Sequence, residues 1–128
     1  MRKTFLNNLI LNVQSTIKLI KEGRCNSIIL NYDDRSENLF RWYQQLIAES
    51  LGKKSKGILP VISSMPRDNH SLLQLYLDGP KINFFTFFNV LDKKSKKINK
   101  KYFKKDFSFL GEKSFFDVIN SQKIATQN

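Results

Sequence analysis

A chain of 128 residues with 41% hydrophobic side chains suits one domain or part of a larger one, and is too apolar to stay disordered. The formal net charge is +11, and the single cysteine, Cys25, excludes an intrachain disulfide. With no secretory pattern at the N-terminus, that cysteine usage predicts a reducing cytoplasm, and no apolar run approaches the roughly 18 residues of a membrane span.

The first element predicted is a helix ending at Gly23, because Leu9, Val13, Ile17 and Ile20 recur three and four residues apart. Asn26 to Tyr32, "NSIILNY", is a short isoleucine- and leucine-rich run, the pattern of a buried strand in a parallel sheet. A second helix follows. Asp34 and Glu37 fit a capping-box start, Leu39, Trp42 or Tyr43, Leu46 and Ser50 run along it, and Gly52 stops it. "KGILPVISS" is a second strand, with Pro60 at a sheet edge or a strand end. "MPRDNHSLLQLYLDGP" is a turn and a short helix, capped by Asp68 or Asn69 and ended by Gly79 and Pro80. "KINFFTFFNV" is a third strand, whose phenylalanines at 84, 85, 87 and 88 point to both faces and require cover on both sides. A last helix begins near Lys113 or Ser114.

Helices alternating with strands predict an α/β fold, a three-layer α/β/α sandwich around a mostly parallel sheet. Three strands make a thin sheet, and no closing element follows, so the expected unit, residues 1–128, is part of a domain. Much of the positive charge sits in one basic loop at 92–106, above all Lys93 to Lys105. It reads either as a solvated loop or as a nucleic-acid surface, with the phenylalanines as core or as a stacking platform.

Two places carry candidate chemistry. Glu49 lies in the last turn of the second helix, where the unpaired carbonyls disfavour a negative charge. It is either a surface carboxylate paired with Lys53 or Lys54, or a partly buried general base. Gln45 is four residues earlier on the same face and could bind a polar substrate beside it. His70 is the only histidine. It is either a solvated turn residue or, in the first turn of a short helix, a neutral imidazole able to take a proton, with Gln74 one turn on. One histidine and one cysteine exclude the usual structural zinc sets. No phosphate-binding glycine loop, dinucleotide fingerprint or nucleophile elbow is present.

The linked segments "YDDRSENLFRWYQQLIAESLGK" and "GILPVISSMPRDNHSLLQLYLDGP" resemble the phosphoglucose isomerase (glucose-6-phosphate isomerase) family. The residues that carry the likeness are Gln45-Leu46, Glu49-Ser50, Gly52-Lys53, His70 and Gln74-Leu75, in that order, within residues 26–90. "DNHS" stands where the family more commonly has "DQHS". The resemblance implies two sugar-isomerase (SIS) subdomains, of which this chain is like the central part of the second. It implies interconversion of glucose 6-phosphate and fructose 6-phosphate without metal or organic cofactor. Glu49 would be the base that moves a proton between C2 and C1 through a cis-enediol, Gln45 a substrate contact, and His70 the ring-opening group. In the family that histidine reaches the site from the neighbouring subunit of a dimer. The expected partners are therefore the sugar phosphate and, in the full-length form, a second copy, with neither nucleic acid nor membrane. The family's phosphate-binding serine/threonine loop, its enediolate-supporting arginine and its C-terminal lysine have no counterpart here, so a fragment with little activity of its own is expected. A sugar-phosphate-binding SIS module without catalysis and a basic nucleic-acid-binding domain are the alternative functions.

Overall fold

The structure, a computed structural model, describes residues 2–92, 94–99, 101 and 105–128. Helix α1 (Arg2–Lys21) leads into strand β1 (Asn26–Asn31), then helix α2 (Glu37–Leu51), strand β2 (Leu59–Ser64), helix α3 (Leu73–Asp78), strand β3 (Asn83–Phe88) and helix α4 (Phe115–Gln127). Short 3-10 turns at Asp34–Ser36, Arg67–Asn69 and Lys105–Leu110 punctuate the connections. The sheet has the order β2-β1-β3 and is parallel throughout. Ile28 stands level with Val61 and Phe85, and Ile29 with Ile62 and Thr86. The expected α/β architecture with a parallel sheet is present.

The most buried strand is β1, because it alone is paired on both sides; residues 27 to 31 are all buried. On one face Ile28, Leu30, Tyr32 and Met65 form the core, joined by Val61, Phe87, Tyr76 of α3 and Ile119 of α4. Ser63 on this face is wholly buried and is satisfied by the Tyr76 hydroxyl at 2.5 Å. Burial pushes the Tyr76 hydroxyl up, the Ser63 bond works against that rise, and the charge of Asp68 adds to it. The opposite face is covered by α2. Phe40 meets Phe88 edge-on with ring centroids 4.7 Å apart, and Gln44 Nε2 donates to the Pro60 carbonyl at 2.7 Å. Helices on both faces of one sheet make the three layers.

Several local expectations hold for the reasons given. Gly23 ends α1 at φ +87°, with Gly23 N–H donating to Ile20 O and Arg24 N–H to Leu19 O, the paired bonds of a Schellman cap. A Cβ on Gly52 would lie 2.5 Å from the Ala48 carbonyl oxygen, so only glycine fits where α2 stops. Pro60 lies in the edge strand β2. Ser114 caps α4 through a full capping box with Asp117.

Others need correction. The start of α2 is not a box of Asp34 and Glu37. Asp33 holds it instead, accepting from Ser36 Oγ at 2.5 Å and Arg35 Nε at 2.8 Å. The face of α2 turned to the sheet is Phe40, Tyr43, Gln44 and Ile47, while Leu39, Trp42 and Leu46 are exposed. The helix carries two apolar stripes, and periodicity alone does not say which one meets the sheet. Asp68 does not cap α3, which begins at Leu73 without a side-chain cap; its Oδ2 accepts from Ser64 N–H at 2.9 Å. The α1 helix is present as expected from its stripe, and in this chain that stripe is exposed: Leu9, Val13, Ile17 and Ile20 are 49, 48, 47 and 37% exposed.

Candidate functional site

The second helix runs antiparallel to the strands, and this decides where each candidate residue lies. It leaves the carboxyl end of β1 and returns to the amino end of β2, so its last turn sits at the amino edge of the sheet. Glu49 and Gln45 are there, on an exposed helix face flanked by Trp42 and Leu46, 59 and 42% exposed. Gln45 Nε2 donates to Glu49 Oε1 at 3.0 Å, and the ion pair with Lys53 or Lys54 does not form. The expected partial burial of Glu49 is not present in this chain. The amide holds one carboxylate oxygen, and the side chain stays exposed to solvent.

His70 belongs to the opposite edge. It follows β2 at its carboxyl end and closes the 3-10 turn Arg67–Asn69, its backbone N–H donating to the Arg67 carbonyl at 3.2 Å. It is exposed and precedes α3 rather than opening it, so the expected placement in a helix's first turn is corrected. Gln74, one turn on, is engaged with Asp78. Strands of six residues at about 3.3 Å each put roughly 20 Å between the two edges. Glu49 and His70 of one chain therefore lie at opposite edges of the sheet.

The carboxyl edge holds features that the sequence reading did not single out. The strand order reverses at β1, leaving a crevice at the carboxyl ends of β1 and β3, the usual place for a ligand in an open α/β sheet. A cavity of about 420 Å³ opens there, lined among others by Tyr32, Asp33, Arg35, Asn89 and Phe116. Asn31, 1% exposed, accepts the Asp33 N–H through Oδ1 at 3.0 Å and so locks the turn after β1. Burial alone would raise the Asp33 carboxyl, but the bonds from Ser36 and Arg35 and the Arg35 charge outweigh it and hold the group below its usual range. The switch-point rule needs the strand order, which only the fold supplies, so the sequence carries no local signal for Tyr32 and Asp33 as site residues. Among the described residues no three His, Cys, Asp or Glu side chains converge as a metal site, and no helix is long and apolar enough to cross a membrane. The basic loop at 92–106 falls partly outside the described residues.

No family model matches the chain. Glucose-6-phosphate isomerase of Methanocaldococcus jannaschii is 40% identical over 105 residues, which are 82% of this chain and 22% of that protein. The Campylobacter jejuni enzyme of the same name is 36% identical over 80% of this chain and 26% of its own length. A probable glucose-6-phosphate isomerase of Methanococcus maripaludis is 34% identical over 97% of this chain and 28% of its own. This chain is similar to part of a glucose-6-phosphate isomerase. It spans about a quarter of the length of these isomerases. The same proportion recurs in three dimensions. A crystal structure of a hypothetical protein from Thermus thermophilus superposes with a TM-score of 0.74 at 25% identity, over 87% of this chain and 29% of that one. The isomerase resemblance read from the Glu49 and His70 segments thus extends over most of the chain.

Proposed function

We propose that this chain is the central part of the second SIS subdomain of a glucose-6-phosphate isomerase, and that it supplies the proton-transfer base. The observation that carries this reading is the Gln45–Glu49 pair, held at 3.0 Å on an exposed, partly apolar helix face in a chain similar to that enzyme. The substrate is glucose 6-phosphate or fructose 6-phosphate, in glycolysis and gluconeogenesis, and the compartment is the cytoplasm. Glu49 takes the proton from C2 of the open-chain aldose as the carbonyl oxygen at C1 is protonated. The cis-enediol so formed receives the proton back at C1, while the C2 hydroxyl loses its own and becomes the ketone. Gln45 holds the carboxylate and contacts the sugar. Exposure suits this role only if other protein covers the face in the working enzyme, because a general base gains from exclusion of water. Trp42 and Leu46 supply an apolar border for such a cover.

His70 acts in ring opening, at the site of a second copy. The opposite-edge positions of Glu49 and His70 favour a homodimer in which each histidine crosses to the other subunit's base. The phosphate grip lies outside this chain, so the chain alone turns over little substrate. A coupled assay on the purified 128 residues is expected to stay near background. Near-normal turnover, lost in Glu49→Gln, would overturn the claim of low autonomous activity. The catalytic assignment itself is checked in a chimera carrying residues 26–90 in the corresponding stretch of the M. jannaschii enzyme. There Glu49→Gln should lower kcat by about 10²- to 10⁴-fold with a small change in KM, and an active chimera indifferent to this substitution would sink it.

A further inference from the structure

We propose that the cavity at the carboxyl ends of β1 and β3 is a binding site for a neutral, hydroxyl-rich small molecule of monosaccharide size. This does not depend on the isomerase reading, since Glu49 lies at the other edge of the sheet. The first observation is Tyr32. It lines the cavity, is 5% exposed, and buries its hydroxyl with no partner among the described residues. A buried hydroxyl left unpaired costs about 1–3 kcal/mol, and a ligand hydroxyl would satisfy it. The second is volume: about 420 Å³ is within the range of small-molecule sites.

Charge then selects the ligand. Asp33, Asp34 and Asp92 line the cavity with Arg35 and Arg67. Both guanidinium groups are already committed. Arg35 meets Asp33 at 2.8 Å and Asp92 at 3.7 Å, and Arg67 meets Asp68 at 3.4 Å. Among the described lining residues no cation is without a carboxylate partner, and Asp34 adds a further negative charge that disfavours a phosphate. A metal ion lacks a converging set of ligands among the described residues. A wholly apolar ligand would leave Tyr32 unpaired. A sugar or cyclic polyol matches all three conditions. Its hydroxyls can reach Tyr32, the Asp34 carboxylate and the Asn89 amide, and its C–H face can lie on Phe115, 61% exposed at the cavity wall.

The test is titration of the purified chain with D-glucose and, separately, with glucose 6-phosphate, followed by amide chemical shifts. Saturable shifts centred on residues 32–35, 64–67 and 115–119 are expected with glucose. Tyr32→Phe should weaken binding roughly tenfold, the worth of one good hydrogen bond. It should fold at least as well as the parent, since it deletes only an unpartnered hydroxyl, and circular dichroism checks this. Glu49→Gln should leave glucose binding unchanged, which separates this site from the isomerase base. Absence of saturation, equal affinity in Tyr32→Phe, or tighter binding of glucose 6-phosphate at these residues would each overturn the proposal.

Discussion

Asp33 shows how one side chain can set the acid limit of the molecule. The residue is 9% exposed, and its carboxylate is held by Ser36 and Arg35 at the turn between β1 and α2. Because its folded pKa lies below the unfolded value, the stability it contributes is complete above about pH 4 and drains away as pH falls through the folded value. Urea unfolding should therefore show a midpoint that declines below about pH 4, and Asp33→Asn should flatten that decline while lowering stability at neutral pH. Ser63 makes a second residue-scale case. Ser63→Ala strands the half-buried Tyr76 hydroxyl, at a cost of about 1–3 kcal/mol by chemical denaturation. Neither partnership could be read in advance. Asp33 and Ser36 are visible as turn residues, but Ser63 and Tyr76 meet only once α3 lies on the sheet.

Elements followed their local signals more faithfully than residues did. The Gly23, Gly52 and Ser114 boundaries were legible because each is a backbone requirement satisfied within a few residues. Loss of the α4 cap should be felt locally: Ser114→Ala should cost about 1 kcal/mol and speed hydrogen exchange of the first-turn amides of that helix about fivefold. Which side of an element meets the core was less legible. On α2, Phe40 and Ile47 won over Leu39 and Leu46, since the turn held by Asp33 sets the rotation at which the helix leaves β1. His70 lies short of the helix start, because the chain makes the 3-10 turn Arg67–Asn69 and three further residues before α3 begins.

For the molecule as a whole, the apolar surface is unevenly used. Strand β1 is sealed, while α1 has no buried residue and shows Phe5, Leu9, Ile10 and Val13 to solvent. The stability map should follow that division. Leu30→Ala should cost about 2–5 kcal/mol, and Leu9→Ala should fall within about 0.5 kcal/mol in the isolated chain. Introducing Glu at Leu9 and Val13 should leave the circular dichroism spectrum unchanged and reduce self-association in sedimentation, because the exposed stripe is the largest sticky surface on α1. An effect of Leu9→Ala as large as that of Leu30→Ala would mean that α1 is packed in solution.

The sequence by itself determined the alternation of helices and strands, the parallel sheet, the helix boundaries at Gly23, Gly52 and Ser114, and the isomerase-like motifs around Glu49 and His70. Each of these is written in short-range pattern: periodicity, caps, or residues a few positions apart. Tertiary structure alone decided that the two motif residues stand at opposite edges of the sheet, because that follows from α2 running back along it. It likewise decided that Gln45 takes the place of a lysine beside Glu49, and that Tyr32, Asp33 and Arg35 meet residues from three later segments around one cavity. Contacts between distant segments depend on where the layers set each helix, and no local pattern encodes that.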